Sequence, residues 1–179
     1  MITIKKINGN RQEYKNIKAT YIEAFPNDER APYYLLTRKA RKDYVDFFSI
    51  YDDKEWAGFF YVVKKAKLAY VFYFAITLKK RGQGLGSSAL KELIKLYDGY
   101  RLFLAIEEID EKYSNYNERI KRKNFYENVG FKDLATKVRE GYVRYDLYGV
   151  GGEVKPYEYR ELMYMWAGPF LRKIFKLEV

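Results

Sequence analysis

Three glycines at alternate positions, Gly82, Gly84 and Gly86, follow the basic run Lys79 to Arg81 in "TLKKRGQGLGSSALKELIKLY", Thr77 to Tyr97. Glycine gives up side-chain packing and backbone order, so the pattern calls for bare main-chain amides. The apolar spacing Leu85, Ala89, Leu93 and Leu96 that comes next is helical. Amides at a helix start are unpaired and partly positive, and a loop without side chains closes them around phosphate oxygens. The ligand implied is a diphosphate. Three kinds of diphosphate loop compete. A Walker loop needs Lys after its last glycine, and Ser87 stands there. A dinucleotide fingerprint can be read in Gly84, Gly86 and Ala89, with Glu107 as its ribose carboxylate, but "TLKKRGQ" separates the glycines from the preceding strand and too few strands follow. The third kind depends on a second motif further along the chain.

Proton chemistry is restricted by composition. The 179 residues include no His and no Cys, which removes the usual general base, the thiolate nucleophile and sulfur metal ligands. Glu, Asp, Tyr, Lys and water remain. Candidate bases are Glu107 and Glu108 after "RLFLAIE", Glu23 and Glu29 near the first helices, and Tyr73; Glu107 is preferred because a carboxylate at a strand end can face an open site. Absence of Cys points to the cytoplasm. A formal net charge of +10 attracts polyanions, but Lys and Arg are scattered among Asp and Glu, as on an ordinary solvated surface.

Around these residues the chain reads as one α/β domain over residues 1–179, with a core over 1–148 and a helical extension over 149–179. A hydrophobic fraction of 48% excludes disorder. The longest apolar run, "LAYVFYFAI" at Leu68 to Ile76, is too short to span a bilayer, and "MITIKKINGN" has no apolar signal core. "MITIKKI" reads as an edge strand. Tyr14, Ile17, Tyr21 and Phe25 form a helical face ended by Pro26, and a short helix runs through Lys42 after the loop from Pro26 to Pro32. Three strands follow, with turns at Asp52 to Lys54 and Lys64 to Lys67, the third apolar on both faces and so buried in mid-sheet. Past the glycine loop and its helix come the strand "RLFLAIE", the helix "ERIKRKNFYENVG" ending at Gly130, and two strands, "FKDLATKV" and "GYVRYDLYG", around Glu140 and Gly141. The tail reads as a helix interrupted at Gly168 and Pro169. The aromatic group Tyr142, Tyr145, Tyr148, Tyr157, Tyr159, Tyr164 and Trp166 is read as core, with an acceptor pocket as the other option.

"RGQGLG", Arg81 to Gly86, resembles the R/Q-x-x-G-x-G/A signature of the GNAT superfamily of N-acetyltransferases, and "NFYENVGF", Asn124 to Phe131, resembles the segment that closes that family's cofactor core. A helix and a strand separate the two motifs, as in the family. The resemblance covers Met1 to Tyr148 and is concentrated in Leu68 to Phe131. It implies a mixed, mostly antiparallel sheet splayed at the cofactor site, flanked by helices, with acetyl-CoA as cosubstrate. Backbone groups of Phe74, Ala75 and Ile76 would pair with the pantetheine arm as if it were an added strand. Arg81, Gly82, Gln83, Gly84, Leu85, Gly86 and Ser87 would enclose the pyrophosphate. Asn124 and Tyr126 would face the arm from the other side, and Lys121 to Lys123 would reach the ribose phosphate. Tyr126 would serve the leaving thiolate. One position departs from the pattern: many members carry Asn seven residues before the tyrosine, and Arg119 stands there.

The expected activity is direct acetyl transfer from acetyl-CoA to a primary amine, on a small molecule or a protein, by a chain that avoids membranes and nucleic acid; the sequence leaves the oligomeric state open, a homodimer being one option. The alternative is a non-catalytic GNAT-like module binding CoA or RNA.

Overall fold

A computed structural model describes residues 1–27, 29–141, 143–171 and 177–178. The chain divides into two units, Met1–Lys64 with Val71–Leu96, and Lys65–Tyr70 with Tyr97–Val179.

In the first unit, strand β1 (Ile2–Lys6) pairs antiparallel with β2 (Val45–Asp52), Ile4 opposite Ile50, and β2 pairs antiparallel with β3 (Glu55–Lys65). Next to β3 runs β4 (Leu68–Ile76), whose residues from Val71 onward belong here. The turn between β2 and β3 puts Asp53 at φ 54°, a left-handed conformation that Asp tolerates better than most residues. Helix α1 (Arg11–Ala24) starts where the Asn10 side chain accepts from the Gln12 amide, and stops where Phe25 turns extended before Pro26. Its inner face, Ile17 and Tyr21, is fully buried, as is Leu36 of α2 (Tyr33–Lys39). The sequence carried this second helix to Lys42; the structure ends it at Lys39 and continues as a turn, the Lys42 amide donating to the Lys39 carbonyl. Phe47, Phe59 and Tyr61 fill the space beneath, in edge-to-face contacts of 5.0 to 6.0 Å. Helix α3 (Leu85–Leu96) buries Ala89, Leu90 and Leu93. Each buried leucine there contributes about 1.5–3 kcal/mol.

In the second unit, Leu68, Ala69 and Tyr70 pair parallel with Arg101, Leu102 and Phe103 of β5 (Arg101–Glu107), and the register covers those three pairs. Strand β7 (Val143–Val150) is antiparallel to β5 on one side and to β6 (Lys132–Glu140) on the other. A two-residue β8 (Leu177–Glu178) completes the order β4-β5-β7-β6-β8. "FKDLATKV" is an interrupted strand: the register shifts between Asp133 and Lys137, with Ala135 at φ 52°. Helix α4 (Tyr116–Val129) closes at Gly130, φ 107°, whose N–H returns to the Glu127 carbonyl while the Phe131 N–H reaches Tyr126. Helix α5 (Pro156–Leu171) is broken at Gly168, as the sequence indicates. Its first turn is held by a fork from Arg101 to both oxygens of Glu158, at 2.9 and 2.7 Å.

Of the C-terminal aromatic group, Tyr148, Tyr159 and Trp166 are core, whereas Tyr157 is 54% exposed. Tyr142 lies outside the described residues. Among those residues the fold is mixed α/β with a mostly antiparallel sheet, and no helix is long and apolar enough to cross a membrane.

Candidate functional site

The glycine loop lies wholly in the first unit. Strand β4 runs out at Ile76, the Thr77 amide still donates to the Ala57 carbonyl, and a single 3-10 turn over Leu78–Lys80 redirects the chain. Lys80 is held between Asp52 and Glu55, at 3.2 and 2.7 Å. Arg81, Gly82, Gln83 and Gly84 are exposed. Gly82 and Gly84 both sit at φ 75°, a region costly for any residue with a Cβ. A Cβ built on either glycine meets nothing within 4 Å, so backbone conformation, not crowding by protein, requires glycine there.

Helix α3 makes its first closing bond from the Ser88 amide to the Gly84 carbonyl, 3.1 Å, so the amides of Leu85, Gly86 and Ser87 precede that bond. The loop therefore presents consecutive main-chain donors to solvent at the positive end of a helix, which suits a pyrophosphate. Arg81 acts on the loop itself: its Nε donates to the Ile76 carbonyl at 2.9 Å and fixes where the strand gives way to the loop.

The end of β4 is tightly seated. A Cβ at Gly58 would lie 2.2 Å from the Ala75 carbonyl oxygen, so β3 and β4 approach there as only glycine permits. Phe74 stacks on Phe60 at 4.4 Å, and Ala75 and Ile76 are buried. Tyr73 is committed to the backbone of the loop before α2, its hydroxyl accepting from the Ala31 amide and donating to the Glu29 carbonyl, both 3.0 Å. Glu23 and Glu29 are exposed.

In the second unit, the end of β5 is joined to α4 by a buried cluster around Arg119, which is 7% exposed. Its Nη2 donates to Glu107 at 2.7 Å, Nη1 to the Glu108 carbonyl and Nε to the Asn115 side chain at 2.8 Å, while the guanidinium lies over the Tyr113 ring at 3.9 Å. The other oxygen of Glu107 accepts from Arg122 at 3.1 Å. Glu107, the preferred base, thus has each oxygen bound to a guanidinium. Its neighbour Glu108 differs: Oε1 lies 3.4 Å from Lys137, and the enclosed Oε2 has no partner among the described residues. Arg119 occupies the place where the family pattern has Asn, and it spends its donors inside the protein. The sequence marked the departure; the partners Glu107, Glu108, Tyr113 and Asn115 all lie within the 12 residues before Arg119, but hydropathy and spacing do not record which of them the guanidinium bonds.

Asn115, Arg119, Arg122 and Tyr126 recur at spacings of four, three and four on α4, which puts them along one helix face. The Tyr126 ring touches Phe125 and Phe131, and its hydroxyl makes no hydrogen bond among the described residues. Burial pushes its phenol up to about 12, partly opposed by the Arg122 charge. Asn124 and Lys121 are exposed, and Lys123 lies 3.6 Å from Glu127.

A profile of the acetyltransferase (GNAT) family matches residues 14–131 of the sequence. Among curated proteins none matches it. Solved structures share the fold. A GNAT-family acetyltransferase structure from Bacteroides thetaiotaomicron superposes with a TM-score of 0.75 at 21% identity, over 92% of this chain and 96% of that one. The ribosomal-protein-S18-alanine N-acetyltransferase of Escherichia coli gives 0.61 at 18% identity, over 86% and 96%. Arabidopsis thaliana NAA60 in complex with acetyl-CoA gives 0.62 at 12% identity, over 85% and 100%.

Proposed function

The chain belongs to the acetyltransferase (GNAT) family, and we propose that it is an N-acetyltransferase that moves the acetyl group of acetyl-CoA directly onto a primary amine, carried by a small molecule or a protein. The observation that carries this reading is the exposed Gly82 to Gly84 turn feeding the open amides of α3, immediately after a strand that ends in solvent-facing loop. In this reading Arg81 to Ser87 receive the pyrophosphate, and the pantetheine arm pairs with backbone groups of Phe74, Ala75 and Ile76. Asn124 and Tyr126 are assigned to the arm and the thioester on the strength of the family motif they stand in.

The chemistry follows from the groups present. The amine nitrogen attacks the thioester carbonyl, the carbon–sulfur bond breaks, the sulfur leaves as a thiolate, and the amine gives up a proton. A hydroxyl with no other partner, as on Tyr126, can donate a hydrogen bond to that sulfur. Full proton transfer from it is disfavoured: a phenol near 12 opposed to a thiol near 8.5 is uphill by about 5 kcal/mol. Tyr126 is therefore assigned charge stabilisation, and the thiolate takes its proton from solvent. The amine proton is received at the end of β5, where Glu107 and Glu108 stand, directly or through water. The absence of Cys supports a cytoplasmic setting.

The test is a panel of amines and amino-terminal peptides scored by CoA thiol release. Since the protein carries no thiol, every thiol detected is product. Turnover with any amine supports the enzyme. Tight acetyl-CoA binding with no turnover across the panel would leave a CoA-binding module instead.

A further inference from the structure

The fold concentrates positive charge that the sequence spreads. On α1, Arg11, Lys15 and Lys18 recur at spacings of four and three, so they share one face, and all three are exposed. Arg38 is exposed on α2, and the exposed Arg41 and Lys42 follow in the turn after it. The two groups border one seam. The Tyr33 hydroxyl donates to the Tyr14 carbonyl at 2.8 Å, and the Lys18 ammonium lies 5.9 Å from the centre of the Tyr33 ring. Burial raises the Tyr14 phenol, and the charge of Arg41 opposes that rise. All of these residues belong to the first unit.

The charge is left unbalanced. From Arg11 to Asp43 the sequence carries eight Lys and Arg against five Asp and Glu. Of those acids, Glu13 is buried and accepts from the Tyr51 hydroxyl, Glu23 stands about 100° round α1 from Ile22, and Asp28 and Glu29 come after α1 has ended. Asp43 alone follows the cations directly. No ion pair joins Arg11, Lys15, Lys18, Arg38, Arg41 or Lys42 to an acid among the described residues. Asp46 of β2 is already taken by Lys6 and Lys64, at 2.9 and 2.7 Å. Lys39 registers the crowding: burial lowers its ammonium, and the charges of Arg38 and Lys42 lower it further. Other surface lysines have acids beside them, as Lys95 has Glu92 and Lys112 has Asp110.

Such a face attracts an anion with many charges in a row. It also carries two large apolar side chains, Tyr34 at 66% exposed and Ile22 at 50%. Ile22 continues the α1 stripe four residues past Lys18, and Tyr34 stands four residues before Arg38. An open aromatic ring among cations matches a single nucleic-acid strand, whose phosphates meet the cations while an unstacked base lies on the ring. A duplex keeps its bases stacked on one another and offers the ring none. A lipid surface binds in proportion to the apolar area that enters it, and two side chains give it little.

We propose that the α1–α2 face binds single-stranded RNA, with Arg11, Lys15, Lys18, Arg38, Arg41 and Lys42 contacting phosphates and Tyr34 stacking on a base. RNA is the single strand that the cytoplasmic setting proposed above supplies. The inference stands apart from the acetyltransferase reading, since none of these residues is assigned to acetyl-CoA or to the amine.

Fluorescence anisotropy of a labelled twelve-nucleotide oligouridylate, read across a salt series, tests this. Log Kd should rise with log salt at a slope of about 3 to 4, since each phosphate neutralised on a single strand contributes about 0.7 and the face offers six cations. The triple variant Arg11→Gln, Lys15→Gln, Lys18→Gln should weaken binding about tenfold or more and take about 2 off the slope. A control, Lys54→Gln, Lys91→Gln, Arg160→Gln, removes the same charge from exposed positions elsewhere and should weaken it less than about threefold. Tyr34→Ala should cost about fivefold or more with the slope unchanged. Every substituted side chain is exposed, so melting temperatures should match the wild type. No binding at low salt, or an equal loss in both triple variants, overturns the face. Full affinity in Tyr34→Ala overturns the stacked base. Equal affinity for polyglutamate of matched charge overturns the nucleic acid, and tighter binding of oligothymidylate overturns RNA. Tighter binding to phosphatidylserine vesicles than to the oligonucleotide, lost in the first triple variant, replaces RNA with a lipid surface.

Discussion

Tyr126 and Gly84 illustrate two ways in which one residue can matter. Tyr126→Phe keeps the ring and its contacts with Phe125 and Phe131 and removes a hydroxyl that has no partner among the described residues. Single-turnover acetyl transfer at saturating cofactor should fall about a hundredfold, with acetyl-CoA affinity and melting temperature unchanged; a folded Phe variant at full rate would make the tyrosine a packing residue. Gly84→Val acts through the backbone. At φ 75° a β-branched residue is strained by about 1–2 kcal/mol, and the space it enters is the open front of the loop. Calorimetry should show CoA affinity down more than tenfold, a larger loss than the change in unfolding free energy explains; an unchanged affinity in a folded variant would move the pyrophosphate elsewhere. Both residues were legible in the sequence because glycine spacing and the "NFYENVGF" segment are local. The commitment of Tyr73 to the backbone of Glu29 and Ala31 was not, because those residues stand 44 and 42 positions away and only the fold brings them together.

At the scale of elements, the Arg119 cluster fixes α4 to the end of β5, and with it the helix face on which Tyr126 lies. Arg119→Met should destabilise the protein by about 3 kcal/mol, since it leaves the Glu107 carboxylate, 10% exposed at its side chain, with only the half-exposed Arg122 as partner. Denaturant titration measures this. The double variant Arg119→Met, Glu107→Leu should recover much of the loss, because the pair is then replaced by apolar groups; a double variant as weak as the sum of both changes would mean that the two residues act separately. Strand and helix positions were readable from periodicity and from capping residues such as Asn10 and Gly130. The end of α2 and the irregularity in β6 were not. Arg41 and Lys42 continue a helix-compatible composition past the true end, and the shift around Ala135 follows from strand pairing that no hydropathy pattern records.

For the molecule as a whole, titration couples to folding through the docking of α5 on β6. The Tyr159 hydroxyl bonds Glu140, and burial holds the Glu140 carboxyl above the usual carboxylate range. A raised folded value means that the protonated form is favoured in the native state. The stability this contributes is complete below an unfolded carboxyl's pKa of about 4.3 and is lost as pH rises through the raised folded value. Glu140→Gln, neutral at every pH and still able to accept from Tyr159, should melt higher than the wild type at pH 8 and no higher at pH 4; an equal shift at both would remove the carboxyl's ionisation as the cause. The composition announced the absence of imidazole and thiol chemistry across the chain, but which carboxylates are buried depends on packing and was not visible. The close seat of β4 on β3 reaches further than its size suggests. In a survey of every substitution scored by activity, position 58 should stand out as intolerant even of a methyl group. It would look like a binding residue, though in the proposed arrangement no ligand touches it. Its intolerance would map the reverse side of the strand on which the cofactor is proposed to lie.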